Sequence, residues 1–189
     1  INNKYKKKYK VFIFFGSSDI NNLTLRVLKN LLKIDKNEFI PIVVVGKINE
    51  KIDEIKQTLQ KFNSYKLYQE TSKMHHIISS CDFGIASGGV NSYERIRIGL
   101  PSIVISVAEN QISICRSLDK EGYIHYLSHF NKISDNKIIE KIINFKKKIR
   151  TIHKFIINNS SKFPNNSLEN VYNILMKKNN ITILVSKNS

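Results

Sequence analysis

The chain has 189 residues, of which 41% are hydrophobic and 24% charged, enough for one domain with a sizeable core. That composition excludes a disordered tail, a collagen-like repeat and a disulfide-stapled miniprotein. Thirty-one basic residues against fifteen acidic ones leave a formal net charge of +16.

A positive excess of this size raises nucleic acid or an anionic membrane as partners. Only five of the basic residues are arginine (Arg26, Arg95, Arg97, Arg116 and Arg150), and the lysines run along the whole chain with Asn and Ile. Aromatic residues are not interleaved with Arg as base stacking requires. The expectation is no specific nucleic-acid partner, with Lys4–Lys10 and Lys146–Arg150 as solvated faces or a linker. No apolar run approaches the roughly 18 residues of a membrane span. The opening INNKYKKKYK has no apolar core of a signal peptide. Cys81 and Cys115 lack CxxC spacing and read as reduced, structural thiols of a cytoplasmic protein. The chain does not begin with Met, so it is expected to be a piece of a longer protein.

Residues 1–10 are polar and basic and read as a linker, with one domain over 11–189. Val11–Phe15 is a continuous apolar run ending at Gly16, as a strand buried on both faces requires. Asn21 or Asn22 is placed to cap a helix carrying Leu23, Val27, Leu28, Leu31 and Leu32 at helical spacing. Phe39–Val45 is a second strand, and Ile52, Ile55, Leu59 and Phe62 mark the next helix. A short strand at Tyr65–Tyr68, a short helix at Met74–Ser80 and a strand at Phe83–Ala86 follow. Ser92–Ile98 reads as helix, Ser102–Val107 as strand, Glu109–Lys120 as helix with Gly122 as C-cap, and Tyr123–Leu127 as a sixth strand. Helices are expected at Lys137–Ile149, Thr151–Asn158 and Leu168–Lys178, then an apolar run at Ile181–Val185. Strands alternating with helices predict an α/β fold: a Rossmann-like parallel sheet of about six strands with helices on both faces.

Ligands of such sheets bind beyond the carboxyl ends of the strands. Three loops there carry small or polar residues: Gly16-Ser-Ser-Asp19, Ser87-Gly-Gly-Val-Asn-Ser92 and Ala108-Glu-Asn-Gln111. Two glycines opening a helix let backbone N–H groups approach a phosphate, and the helix dipole adds positive potential. Glu94 then falls in the first helical turns, within reach of a ribose diol; a plain strand-to-helix turn with a helix-start carboxylate fits the same residues. GxGxxG and Walker A patterns are absent.

Gly16-Ser-Ser-Asp19 with Asn22-Leu-Thr24 resembles the GGSDP…NLT segment of the UDP-sugar hydrolases of the pseudaminic-acid pathway. These are relatives of the spore-coat polysaccharide proteins and of the lipid II N-acetylglucosaminyltransferase. Ser87-Gly-Gly-Val-Asn-Ser-Tyr-Glu-Arg95 is similar to their (A/S)GG-x-x-x-(W/Y)-E-R, and Gly99–Val104 with Glu109-Asn-Gln111 to their GLPSxV…ENQ. Ser17 departs from the pattern, standing where the family has Gly. The resemblance covers roughly residues 10–127 and implies the C-terminal half of a two-domain GT-B enzyme, with a preceding N-terminal domain as partner. It implies that Glu94 binds ribose hydroxyls, and that Gly88, Gly89, Val90 and Asn91 donate to the diphosphate of UDP or a UDP-sugar. Ser17 and Ser18 would face the phosphate or sugar, Asn110 and Gln111 the sugar, and the backbone near Leu67–Gln69 the uracil. No cofactor and no metal are implied, and catalytic residues are expected in the N-terminal domain. The function implied is UDP-sugar hydrolysis in nine-carbon acidic sugar synthesis. A glycosyltransferase half, or a non-catalytic sugar-nucleotide module fused to a cytidylyltransferase, stands as the alternative.

His75 and His76 point about 100° apart on a helix and do not chelate one ion together. His125 and His129 read as surface residues. Glu109 suits either a catalytic carboxylate or a helix start, and Asp19 either a general base or a turn capping the first helix.

Overall fold

The computed structural model describes residues 8–162. The expected helix Leu168–Lys178, the run Ile181–Val185 and the first seven linker residues lie outside them. Six strands run in chain order: β1 Tyr9–Phe14, β2 Phe39–Val45, β3 Lys66–Gln69, β4 Phe83–Ser87, β5 Ser102–Ser106 and β6 His125–His129. Between them lie α1 Leu23–Asp35, α2 Ile52–Leu59, α3 Met74–Ser79, α4 Asn91–Ile98 and α5 Asn110–Lys120, with α6 Asp135–Lys146 and α7 Ile149–Asn159 after the sheet. β1 starts two residues before the expected Val11, because Tyr9 N donates to Glu38 O and joins the ladder with β2. β6 is shifted two residues later than expected, to His125–His129.

All pairings are parallel, in the order β3-β2-β1-β4-β5-β6. The chain reverses direction across the sheet between β1 and β4, so a crevice opens there at the carboxyl ends. The central strands are buried on both faces: Val11, Ile13, Val43, Val45, Phe83 and Ile85 join a large core with α1 and α2. Their neighbours Phe12, Ile42, Val44 and Ala86 join a smaller core with Ile77 and Ile78 of α3. The period of two along each strand explains why these runs read as uninterrupted hydrophobics.

Helix ends are set by glycine where sterics require it. Gly99 and Gly122, at φ 81° and 82°, each follow a helix in the left-handed region. Leu100 N donates to Arg95 O and Tyr123 N to Leu118 O, closing a Schellman turn at both sites. Gly122 is thus one residue beyond the cap itself, which is Glu121. At the start of α1 the expected Asn cap is replaced: Asn22 makes no side-chain cap bond, and the buried Asp19 carboxylate accepts from Leu23 N at 3.0 Å and Thr24 N at 2.8 Å. Asp19 and Asn22 both sit at positive φ (42° and 52°), so the turn folds back and carries the earlier residue over the helix end.

Candidate functional site

The Ser-Gly-Gly turn lies at the end of β4, on one side of the switch point. Gly88 sits there because α5 packs over it: an added Cβ would fall inside the contact radius of the Cys115 thiol, which is itself fully buried. Gly88, Gly89 and Val90 donate no main-chain N–H to a backbone acceptor among the described residues. The first turn of α4 follows at once, and Glu94 occupies that turn.

Two open grooves flank the start of α3. One, of about 450 Å³, is lined by His75, Val90, Asn91, Glu94, Arg97 and Ile98. The other, of about 560 Å³, is bounded by Ser17 and Gly46 on one side and by Glu70, Thr71, Ser72 and Met74 on the other. Both volumes fall within the roughly 300–1,000 Å³ of small-molecule clefts. The neighbouring residues Met74 and His75 border one groove each.

The expected residues are therefore partly gathered. Val90, Asn91 and Glu94 share the first groove and Ser17 lines the second; Ser18 is half-buried beside it in sequence. Ser17 is held by backbone: its carbonyl accepts from Gly46 N at 3.0 Å, and any Cβ at Gly46 would come within 2.5 Å of that carbonyl oxygen. Gln111 folds back on its own loop, its Oε1 accepting from Val107 N at 2.9 Å. Its amide nitrogen faces Gly89, 3.7 Å from where a Cβ would stand. Asn110 is exposed at the first position of α5. Leu67–Gln69 lie within β3, and the second groove is lined by the loop just after them.

Several contributors were not legible as such. His75 faces the first groove, its ring 3.9 Å from that of His76. Glu70, at φ 62°, holds Lys47 by a 3.0 Å ion pair at the rim of the second groove. Arg95 is the largest fully buried side chain of the molecule's described part, its Nη2 donating to Ser87 O at 2.9 Å and Ser92 Oγ at 3.0 Å. The available signal was spacing: Ser92 and Arg95 are three apart and share a helix face. Burial pushes the Arg95 pKa down to about 10, which leaves it charged at neutral pH.

His129 is not a surface residue. It is 6% exposed, with Nδ1 3.0 Å from Ser106 Oγ, which also lies 2.8 Å from the Tyr126 hydroxyl. The displaced β6 carries His129 inward to the end of β5. Glu109, just before α5, approaches His129 Nε2 at 3.6 Å through an exposed carboxylate. His125 is half-buried against Phe145, and burial lowers its pKa. Burial raises the Asp19 pKa above the ordinary carboxylate value, against the hydrogen bonds from Thr24 and Leu23. With its carboxylate committed to α1, Asp19 has the capping role of its two sequence readings. Among the described residues no three His, Cys, Asp or Glu side chains gather as a metal site requires, and no helix is long and apolar enough to cross a membrane.

Six parallel strands in this order, with helices on both faces, make a Rossmann-like domain of the kind found in GT-B glycosyltransferases. The chain matches Acinetobacter baumannii MurG with a TM-score of 0.69 at 12% identity, over 90% of this chain and 50% of that one. It matches the UDP co-structure of Staphylococcus aureus MnaA with a TM-score of 0.63 at 14% identity, over 100% of this chain and 52% of that one. In sequence it is similar to the Bacillus subtilis spore coat polysaccharide biosynthesis protein SpsG, 27% identical over 116 residues, 59% of this chain and 33% of the relative. It is also 29% identical over 140 residues to an uncharacterized protein of Methanocaldococcus jannaschii, 72% of this chain and 27% of the relative. The chain thus spans about a quarter to a third of these curated relatives and about half of the matching structures. No protein-family profile matches it.

Proposed function

We propose that this chain is the UDP-binding half of an enzyme acting on a UDP-sugar, with hydrolysis of the sugar–phosphate bond as the reaction. The observation that carries the reading is the Ser87-Gly88-Gly89 turn opening α4 at the switch point, with Glu94 in the first turn lining a groove. UDP accompanies the similar MnaA fold in its solved structure, and SpsG belongs to polysaccharide biosynthesis by name, which supports the nucleotide-sugar class.

The diphosphate lies at the α4 start, where free backbone N–H groups and the helix dipole stabilise anionic oxygens. Glu94 accepts from the ribose hydroxyls, and Gln111 and Asn110 face the sugar. As the anomeric C–O bond breaks, its electron pair leaves with UDP, and the same donors stabilise the charge that grows there. Water supplies the new oxygen, and its proton passes to a base on the facing domain. A glycosyltransferase half is the second reading, favoured by the glycosyltransferase folds the chain matches; there a hydroxyl of an acceptor replaces water.

Calorimetry with UDP tests the site. Glu94→Gln keeps the side-chain shape and removes the charge, and loses charge-assisted hydrogen bonds of about 1.5–3 kcal/mol. UDP affinity should fall about tenfold to a hundredfold. No UDP affinity in the unmodified chain at millimolar ligand, or unchanged affinity in Glu94→Gln, overturns the site.

A further inference from the structure

We propose that Arg95 is a positioning residue whose buried charge makes the site select a diphosphate over the bare nucleoside; this rests on the UDP-binding reading above. The guanidinium is 0% exposed, yet only Nη2 is satisfied, by Ser87 O and Ser92 Oγ. Nε and Nη1 have no hydrogen-bond partner, and Arg95 makes no ion pair among the described residues. A buried cation without a counter-charge is costly, and buried polar groups left unpaired call for a reason.

The geometry supplies one. Nη2 reaches the carbonyl that immediately precedes Gly88 and the hydroxyl in the first turn of α4, so the guanidinium lies beneath the turn where the diphosphate would bind. Gly84 borders it: a Cβ there would stand 3.5 Å from Arg95 Cδ, an ordinary contact, while meeting Ser102 Oγ at 2.9 Å. The groups that act on it electrostatically are the Cys115 thiol of α5, itself kept protonated by a pKa raised to about 11, and Glu94, its neighbour on α4, whose carboxylate forms no ion pair with it. A diphosphate on the other side of the turn would provide the missing counter-charge through low-dielectric protein, where salt screens little. Arg95 does not touch the ligand. It fixes the turn through Ser87 and Ser92 and adds positive potential beneath it.

The test titrates UDP and uridine into the unmodified chain, Arg95→Met and Arg95→Lys, with thermal melts to report folding. Arg95→Met should weaken UDP about tenfold or more while uridine changes less than twofold, and Arg95→Lys should recover most of the UDP affinity. A merely structural arginine would lower both ligands alike, and that result overturns the proposal. Where Arg95→Met does not fold, nitrogen–proton spectra of the unmodified chain decide: the Arg95 Nε–H signal should shift with UDP and stay with uridine. A signal that moves equally with both, or with neither while UDP binds, overturns it. Absence of UDP binding in the unmodified chain would instead refute the nucleotide-binding reading itself.

Discussion

Gly88→Ala isolates what holds the Ser87-Gly88-Gly89 turn in place. Gly88 is not in the left-handed region, so alanine meets no backbone strain there. The new methyl would instead collide with Cys115 Sγ and press on Val104 Cγ1 at 3.4 Å. The thiol has no free space to retreat into, since Cys115 is fully buried and Val104 is a core residue. Overpacking of this kind costs about 1–3 kcal/mol. At about 2–4 °C per kcal/mol for a chain of this length, the melting temperature should fall by about 4–8 °C for a cost near the middle of that range. Cys115→Ala alone loses a buried sulfur, on the order of 1 kcal/mol. In the double variant the added methyl occupies the vacated space, so the two losses should couple by about 0.5–3 kcal/mol in the favourable direction. On the proposed UDP site, affinity for UDP should fall in Gly88→Ala and return in the double variant. Calorimetric melts of the four proteins measure this cycle. Strictly additive losses would refute the claim that the α5 thiol dictates glycine at this position.

Two further outcomes follow from the burial of single groups. Because burial holds the Asp19 pKa above its unfolded value, the folded chain takes up this proton more readily than the unfolded one. Its contribution to stability is then fully present below the unfolded value of about 3.9 and lost as pH rises through the folded value. The stability of the unmodified chain relative to Asp19→Asn should therefore shrink as pH rises from the unfolded value through the raised folded one; a growing difference in urea melts would show that the Leu23 and Thr24 N–H groups outweigh burial. Burial pushes the Cys81 and Cys115 thiols up to about 11, so both should resist iodoacetamide at pH near 8 in the folded chain. Rapid labelling of Cys115 without unfolding, read by mass spectrometry, would contradict its packing against Gly88.

Local chemistry was enough to read the sheet. Continuous apolar runs such as Val11–Phe15 and Phe39–Val45 need burial on both faces, and the helical spacing of Leu23 to Leu32 places α1 between them. Gly122 announced a helix end because glycine enters the left-handed region without cost, and Gly99 ends α4 for the same reason. The Gly88–Glu94 spacing likewise followed from helical geometry. Contacts between residues far apart in the chain were not readable in this way. That Gly88 answers to Cys115, and Gly46 to the Ser17 carbonyl, depends on how separate βα units pack side by side. His129 looked like a surface residue because its partner Ser106 lies 23 positions away and meets it only once β5 and β6 pair across an irregular register. Arg95 is the sharpest instance: a charged residue reads as solvent-facing in any one-dimensional pattern, yet tertiary packing beside Gly84 of β4 encloses it fully. Sequence spacing carries the short-range periodicities of helix and strand, whereas burial of a charge depends on which distant surfaces close over it.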